Sequence, residues 1–349
     1  MNICLIKLSA IGDVVHTLPS LAALRKMYPD AHLTWVIEEE AADLIAGHPF
    51  LDRIIISRRK TWLRNLSLPQ TRREMKAFIS SLRDRRYDLT IDFHGLFKSA
   101  VIAAFSRSQR KIGFRSMQEL SGLFYTERIT EDMGKHAVDR YLDFIRYLGW
   151  ENPPVEFIIP APVEVKESAS AILQSAGIMG ANAFIAVNPV ALWPTKLWRE
   201  ERFARLADMI MDILGLPVVF TGSKTEEAYI KRIENAMKGK PINLAGQTTL
   251  RELAEIYRHA LLVVTTDSGP MHIAAAVGTP TVALFGPTDP KRTGPYGPGH
   301  RVLRSPISCS PCLLKNCPHH QCMADIEVED VFSHVEEVFN ERKEVLKWR

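Results

Sequence analysis

No stretch of this sequence reaches the ~18 consecutive apolar residues that a bilayer-spanning helix requires. The first apolar run is short and broken by Lys7, so it does not read as a signal peptide. The expectation is a chain made and kept in the cytoplasm. In that reducing compartment its five cysteines argue against structural disulfides. Fixed nucleotide motifs are missing as well. No G-x-G-x-x-G follows a strand, which counts against a nicotinamide enzyme, and no Walker lysine loop is present, which counts against an ATPase. The G-x-S-x-G elbow of α/β-hydrolases is absent too. Neither sign of charge dominates: 44 basic and 40 acidic residues leave +4, so net charge calls for no nucleic acid.

What is present is the material of a globular protein, 46% apolar and 24% charged, and 349 residues suggest two domains. The charge is uneven. Arg58, Arg59, Lys60, Arg64, Arg72, Arg73, Lys76, Arg83, Arg85 and Arg86 fall in one segment with only Glu74 and Asp84 against them. This reads either as a solvated helical face or as a surface for anionic lipid or an anionic acceptor.

The opening residues set the pattern. Ile3 to Leu8 is an apolar run of strand length, Ser9 to Gly12 a tight turn, and Val14 onward has helical spacing through Val15, Leu18, Leu21 and Leu24. Strand-like runs follow at His32–Ile37, Arg53–Ser57, Asp88–Phe93 and Lys111–Phe114, with helices between them, at Leu96–Phe105, and at His136–Leu148. The alternation implies a mostly parallel sheet. Asp13 then lies beyond a strand's carboxyl end, where such sheets bind ligands, although Asp is also a favoured N-cap residue. Lys98 and Ser99 are expected at the same end.

Four prolines between Glu151 and Pro162 mark a linker. The pattern then restarts, with strands at Phe184–Pro189, Pro217–Gly222, Leu261–Thr266 and Thr281–Phe285 and helices at Arg199–Leu214, Glu227–Met237 and Met271–Val277. The expected architecture is two doubly wound α/β domains facing across a cleft, spanning 1–155 and 165–325. A last helix within 326–349 is a candidate to pack back on the first domain.

The strongest local signal is Thr266-Asp-Ser-Gly-Pro-Met-His272. A buried strand stops, a small polar turn follows, and Pro270 opens a helix where its missing N–H costs least. The free N–H groups and the positive helix end suit an anion, with Ser268 and Gly269 permitting close approach of a phosphate. Asp267 would then accept from a ribose or sugar hydroxyl; the plain alternative is an ordinary capped helix start. Lys196, in a loop at the same sheet end, suits a diphosphate. Glu226, after the next strand, suits a ribose diol. His272 taken alone reads as a packed histidine.

Several blocks together resemble glycosyltransferase family 9, the heptosyltransferases. They are Lys7-Leu-Ser-Ala-Ile-Gly-Asp-Val-Val-His-Thr-Leu-Pro19, Asp92-Phe-His-Gly-Leu-Phe-Lys-Ser99, His136-Ala-Val-Asp-Arg140, Asp267 to Ala275, and Phe285 to Gly297. The opening block is closer to heptosyltransferase I than to II. The resemblance implies a GT-B fold, two Rossmann-like domains with the acceptor on the first and the nucleotide sugar on the second. It implies inverting transfer of a heptose from ADP-L-glycero-D-manno-heptose to the lipopolysaccharide inner core, either Kdo-lipid A or the first heptose, with no metal and no cofactor. Such an enzyme would work at the cytoplasmic face of the inner membrane on a lipid-linked anionic saccharide. Asp13 takes the place of the general base. Lys196, Glu226, Asp267, Ser268, Gly269 and His272 take the donor positions, and Ser9, Gly12, His16, Lys98 and Arg140 the acceptor positions. Ala191 and Leu192 stand where hydroxyl residues often help hold the diphosphate, His94 replaces a common glutamine, and Gln118 stands where an arginine is frequent. Two other readings stay open: a family 9 transferase with another nucleotide sugar or a protein acceptor, and a non-catalytic binding relative.

Four of the cysteines cluster late, as Cys309-x2-Cys312-x4-Cys317-x4-Cys322 with His319 and His320 inside. Four thiolates in one short loop could bind zinc tetrahedrally, although the spacing departs from paired C-x2-C.

Overall fold

The computed structural model describes residues 1–115, 118–178 and 183–346, with side chains for all of these except 118–120 and 344–346, so the Gln118 side chain lies outside the described residues. It divides into two compact units, Met1–Pro160 and Ala161–Arg349. The first unit runs β1 (Asn2–Ile6), α1 (Ile11–Met27), β2 (His32–Glu38), α2 (Glu39–Ala42), β3 (Arg53–Ser57), α3 (Arg59–Arg64), α4 (Pro69–Arg83), β4 (Tyr87–Asp92), α5 (Phe97–Phe105), β5 (Ser108–Phe114), β6 (Glu127–Ile129) and α6 (Ala137–Tyr147). The second runs α7 (Val163–Ser175), β7 (Ile185–Asn188), α8 (Glu200–Met209), β8 (Val218–Phe220), α9 (Glu227–Ala236), β9 (Ile242–Asn243), α10 (Leu250–His259), β10 (Leu262–Thr266), α11 (Gly269–Ala276), β11 (Thr281–Phe285), α12 (Pro290–Thr293), β12 (Arg301–Arg304), α13 (Gln321–Ala324) and α14 (Val328–Leu346).

Each unit holds one six-stranded sheet, in the orders β3-β2-β1-β4-β5-β6 and β12-β11-β10-β7-β8-β9. Every pairing is parallel. Counted from its own first strand, the second sheet has the same order as the first, 3-2-1-4-5-6. That is the doubly wound Rossmann order, in which the chain reverses direction between strands 1 and 4. The crevice at that reversal, beyond the carboxyl ends, falls between β1 and β4 in one unit and between β7 and β10 in the other.

The central strands are fully covered, as parallel strands flanked by helices on both faces must be. Ile3, Cys4, Leu5 and Ile6 of β1 and Leu262, Val263 and Val264 of β10 are fully buried. The edge strands β6, β9 and β12 have two to four residues each and carry no apolar run, so the sequence pattern misses them. It also misses α7, whose buried residues are only Ala169 and Leu173. The expected helix 199–214 is α8 followed by one π-helical turn, Ile210–Leu214, which Gly215 ends at φ +66° in the left-handed region glycine tolerates. The last helix, α14, contributes Val331, Val335 and Val338 to the second unit's own core, and Arg202 on α8 pairs with Glu327 just before the helix.

Candidate active site

At the first unit's switch point β1 leads through Lys7 and Ser9 into α1. Helix α1 starts at Ile11, one turn earlier than its apolar spacing suggests, and Asp13 is its third residue. The Asp13 carboxylate serves both readings. Its Oδ2 accepts from the Ala10 N–H at 3.3 Å, and its Oδ1 accepts from the Tyr141 hydroxyl at 3.1 Å. Lys7, 3% exposed, stands 3.8 Å from Oδ1. Its ammonium donates to the Phe93 carbonyl at 3.1 Å and to the Tyr141 hydroxyl at 2.6 Å. Tyr141 comes from α6, and sequence reading missed it, because nothing local links residues this far apart. Lys7 stands out in the sequence as an interruption of an apolar strand and as the first residue of the opening block; a buried lysine at a strand end is the signal for its role beside Asp13.

The electrostatics follow from this packing. Burial acts to raise the Asp13 carboxyl, but the Lys7 charge, His94, the Ala10 N–H and Tyr141 together outweigh it and hold the group below the usual carboxylate range. Burial pulls the Lys7 ammonium down, with Asp13 and Asp92 opposing. Burial, then the charges on Lys7 and Lys98, push His94 down to about 3, so its ring is neutral at neutral pH. Beneath it, buried Asp92 accepts from the N–H groups of His94 and Gly95 at 2.9 and 3.2 Å and from the Tyr125 hydroxyl at 2.7 Å, which fixes the turn after β4. If Asp13 must be ionised for turnover, Lys7→Gln should move the acid limb of the kcat/KM profile to higher pH, because the cation that favours the ionised form is gone. An unmoved limb would assign it to another group.

The remaining first-unit candidates separate. Lys98 donates to Ser9 Oγ at 3.3 Å and stands 3.7 Å from Glu38. Glu38, 1% exposed at the end of β2, also draws in Arg59 at 3.2 Å and Lys60 at 3.8 Å, so three cations gather about one carboxylate beside Ser9. This cluster was not read from the sequence. Gly12 is buried in the first turn of α1. His16 is 2% exposed and packs edge-on against His136 at 5.3 Å, while buried Arg140 pairs with Glu131 at 2.8 Å. Both side chains are buried.

At the second unit's switch point, β10 delivers Asp267, 4% exposed, against Lys196 from the loop after β7. The two are 2.6 Å apart, and the Thr288 hydroxyl donates to the same carboxylate oxygen at 2.5 Å. The Lys196 ammonium also lies 4.7 Å from the centre of the Trp193 ring. Both residues were singled out from sequence; their pairing was not. Ser268 precedes α11 in extended conformation and makes no side-chain cap. Its hydroxyl lies 3.4 Å from Thr265 Oγ1 and from Asn188 Oδ1, so the N–H groups of the first turn, where Gly269 stands, remain available to an anion. His272 is buried within that helix. Glu226, after β8, uses one carboxylate oxygen to accept from the N–H and hydroxyl of Ser223 at 2.7 and 2.8 Å.

The four late cysteines are free thiols and, with His319 and His320, line a cavity of about 300 Å³. Among the described residues no three histidine, cysteine, aspartate or glutamate side chains come together to hold a metal. The loop is tied to its surroundings by hydrogen bonds of its backbone. The N–H groups of Cys312 and Leu313 donate to the Pro287 carbonyl at 3.0 and 2.9 Å, and Thr195, beside Lys196, donates to the Leu314 carbonyl at 2.8 Å.

Two Rossmann-like units, with a carboxylate held by Lys7 and Tyr141 at one switch point and a cation beside an uncapped helix start at the other, are the make-up of a GT-B glycosyltransferase. Comparison with known proteins agrees. The profile of glycosyltransferase family 9 (heptosyltransferase) matches residues 75–323. Lipopolysaccharide heptosyltransferase 1 of Pseudomonas aeruginosa is 30% identical over 339 residues, 95% of this chain and 91% of that one. A family 9 glycosyltransferase from Veillonella parvula superposes with a TM-score of 0.84 at 28% identity, covering 97% of both chains. Escherichia coli heptosyltransferase WaaC, solved with ADP, superposes with a TM-score of 0.79 at 26% identity, covering 97% of this chain and 100% of that one. The chain belongs to glycosyltransferase family 9, the heptosyltransferases, and is a transferase.

Proposed function

We propose that this transferase moves a heptose from ADP-L-glycero-D-manno-heptose to the lipopolysaccharide inner core, with inversion and without a metal. The first unit, within 1–155, takes the acceptor, and the second, within 165–325, takes the nucleotide sugar. The observation that carries the reading is the division of chemistry between the two switch points: an ionised carboxylate at one, a cation beside open helix N–H groups at the other. Relatives named as lipopolysaccharide heptosyltransferase 1 and solved with ADP support the choice of donor and acceptor.

In this scheme Asp13 accepts the proton of the acceptor hydroxyl as that oxygen attacks the anomeric carbon. The bond from that carbon to the β-phosphate oxygen breaks, and ADP departs. A single displacement inverts the centre. The charge growing on the diphosphate needs fixed donors more than it needs an acid, and Lys196 with the first turn of α11 supplies them. Asp267 holds Lys196 in place and, with Glu226, faces the sugar or ribose hydroxyls. Ser9, Gly12 and Lys98, with Arg59 and Lys60 around Glu38, meet an anionic saccharide, and His16 and Arg140 belong to the same acceptor side. No described helix is long and apolar enough to cross a membrane. The lipid-linked acceptor therefore implies a peripheral enzyme on the cytoplasmic face.

The test is a donor and acceptor screen that follows nucleotide release. ADP-heptose with Kdo-lipid A, or with its first heptosylated product, should turn over at least tenfold faster than other nucleotide sugars, the scale of discrimination expected when a site is built for one hydroxyl pattern (~10- to 100-fold or more). Faster turnover with a different nucleotide sugar, or with a protein acceptor, would replace this assignment.

A further inference from the structure

The segment joining α3 to α4 has an arrangement that the transfer reaction does not use. Trp62, on α3, is 6% exposed, donates its indole N–H to Glu74 at 2.9 Å and packs on Phe78 at 5.4 Å. That anchor fixes the turn that follows, and the turn carries its leucines outward. Leu63, Leu66 and Leu68 are 56%, 49% and 50% exposed. Isolated exposed leucines are ordinary; three within six residues at one turn are not.

The charge around them is positive. On α4 the residues Thr71, Phe78 and Leu82 face inward. Arg72, Met75 and Lys76, at i, i+3 and i+4, share another face, and all three are exposed. Arg58, Arg59 and Lys60 are matched by glutamates of the preceding segment. Arg64, Arg72, Arg73 and Lys76 have no ion-pair partner among the described residues, and the one nearby carboxylate, Glu74, is engaged by Trp62 and Gln70. Apolar side chains at a turn, flanked by unmatched arginine and lysine, match a bilayer with anionic headgroups: the leucines enter the acyl boundary and the cations stay at phosphate level.

We propose that the turn 63–68 with the outer face of α4 is the membrane-docking surface of this protein, and that its occupant is an anionic phospholipid bilayer. The proposal deepens the peripheral location inferred above, but its test does not depend on heptosyl transfer. A second basic surface competes with it. Arg83, Arg86, Arg107 and Lys111 line a cavity of about 600 Å³ at the opposite, amino-terminal end of the first sheet, beside half-exposed Phe105. That surface has one exposed apolar residue where the α3–α4 turn has three.

The experiment is co-sedimentation of the full chain with vesicles of phosphatidylcholine containing phosphatidylglycerol, and with vesicles of phosphatidylcholine alone. The unaltered protein should bind the mixed vesicles, less so as salt rises, and bind the neutral ones weakly. L63E/L66E/L68E and R72E/R73E should each weaken binding by about tenfold or more, the scale expected on losing the apolar or the cationic half of such an anchor. F105E/R107E should bind like the unaltered protein. Circular dichroism and turnover of a water-soluble, deacylated acceptor should stay unchanged in the leucine variant, which separates loss of docking from loss of fold or of chemistry. Undiminished vesicle binding by L63E/L66E/L68E would overturn the proposal, as would loss confined to F105E/R107E. A change of oligomeric state with vesicle binding intact would also overturn it, by making the face a contact between copies.

Discussion

Asp13→Asn is expected to lower turnover by roughly a thousandfold, the middle of the range that a positioned general base contributes. ADP affinity measured by calorimetry should stay within about twofold, because every donor contact in the scheme comes from the second unit. The substitution is nearly isosteric. An amide oxygen can still accept from the Ala10 N–H or from Tyr141, so the start of α1 should hold. What the amide cannot do is accept a proton. Its loss therefore falls on kcat, and the Lys7 ammonium loses the carboxylate it faces at 3.8 Å. Turnover above a tenth of the original would remove Asp13 as the base.

Lys196→Met is expected to weaken ADP binding by on the order of a hundredfold, the loss of one charge-assisted contact of about 2–3 kcal/mol. It should also destabilise the fold, because it strands Asp267, 4% exposed, without its cation. The two effects can be told apart. Adding Asp267→Asn removes the stranded charge, so the double variant should recover most of the lost thermal stability while ADP binding stays weak. If stability and affinity recovered together, Lys196 would be a structural partner of Asp267 and not a holder of the diphosphate.

The parts of this account that sequence revealed are those with a local signal. The run Ile3–Leu8 followed by a small-residue turn announced β1 and α1, and Thr266 to His272 announced β10 and α11, because buried parallel strands are continuous apolar runs. The short edge strands β9 and β12 escaped: Ile242–Asn243 and Arg301–Arg304 are too short and too exposed to make a pattern. Within the site, Asp13, Lys196 and Asp267 stood out by position after strands. Their partners did not. Tyr141 reaches Asp13 from a helix late in the first unit, Glu38 collects cations from α3 and α5, and Thr288 closes on Asp267 from the loop after β11. Those contacts depend on which strands become neighbours, and that order is fixed by tertiary packing. His16 and Arg140 stood out only through the motif blocks that hold them; their burial, the His136 ring beside one and the Glu131 partner of the other depend on tertiary packing.

The central claim is a single displacement, with Asp13 taking the acceptor proton while Lys196 and the start of α11 hold the departing ADP. The most direct measurement is the anomeric configuration of the transferred sugar, read by proton NMR on product formed from a donor of known configuration. The account predicts a centre opposite to that in the nucleotide sugar. A product with the donor's own configuration would require a second displacement or a different base, and would contradict it.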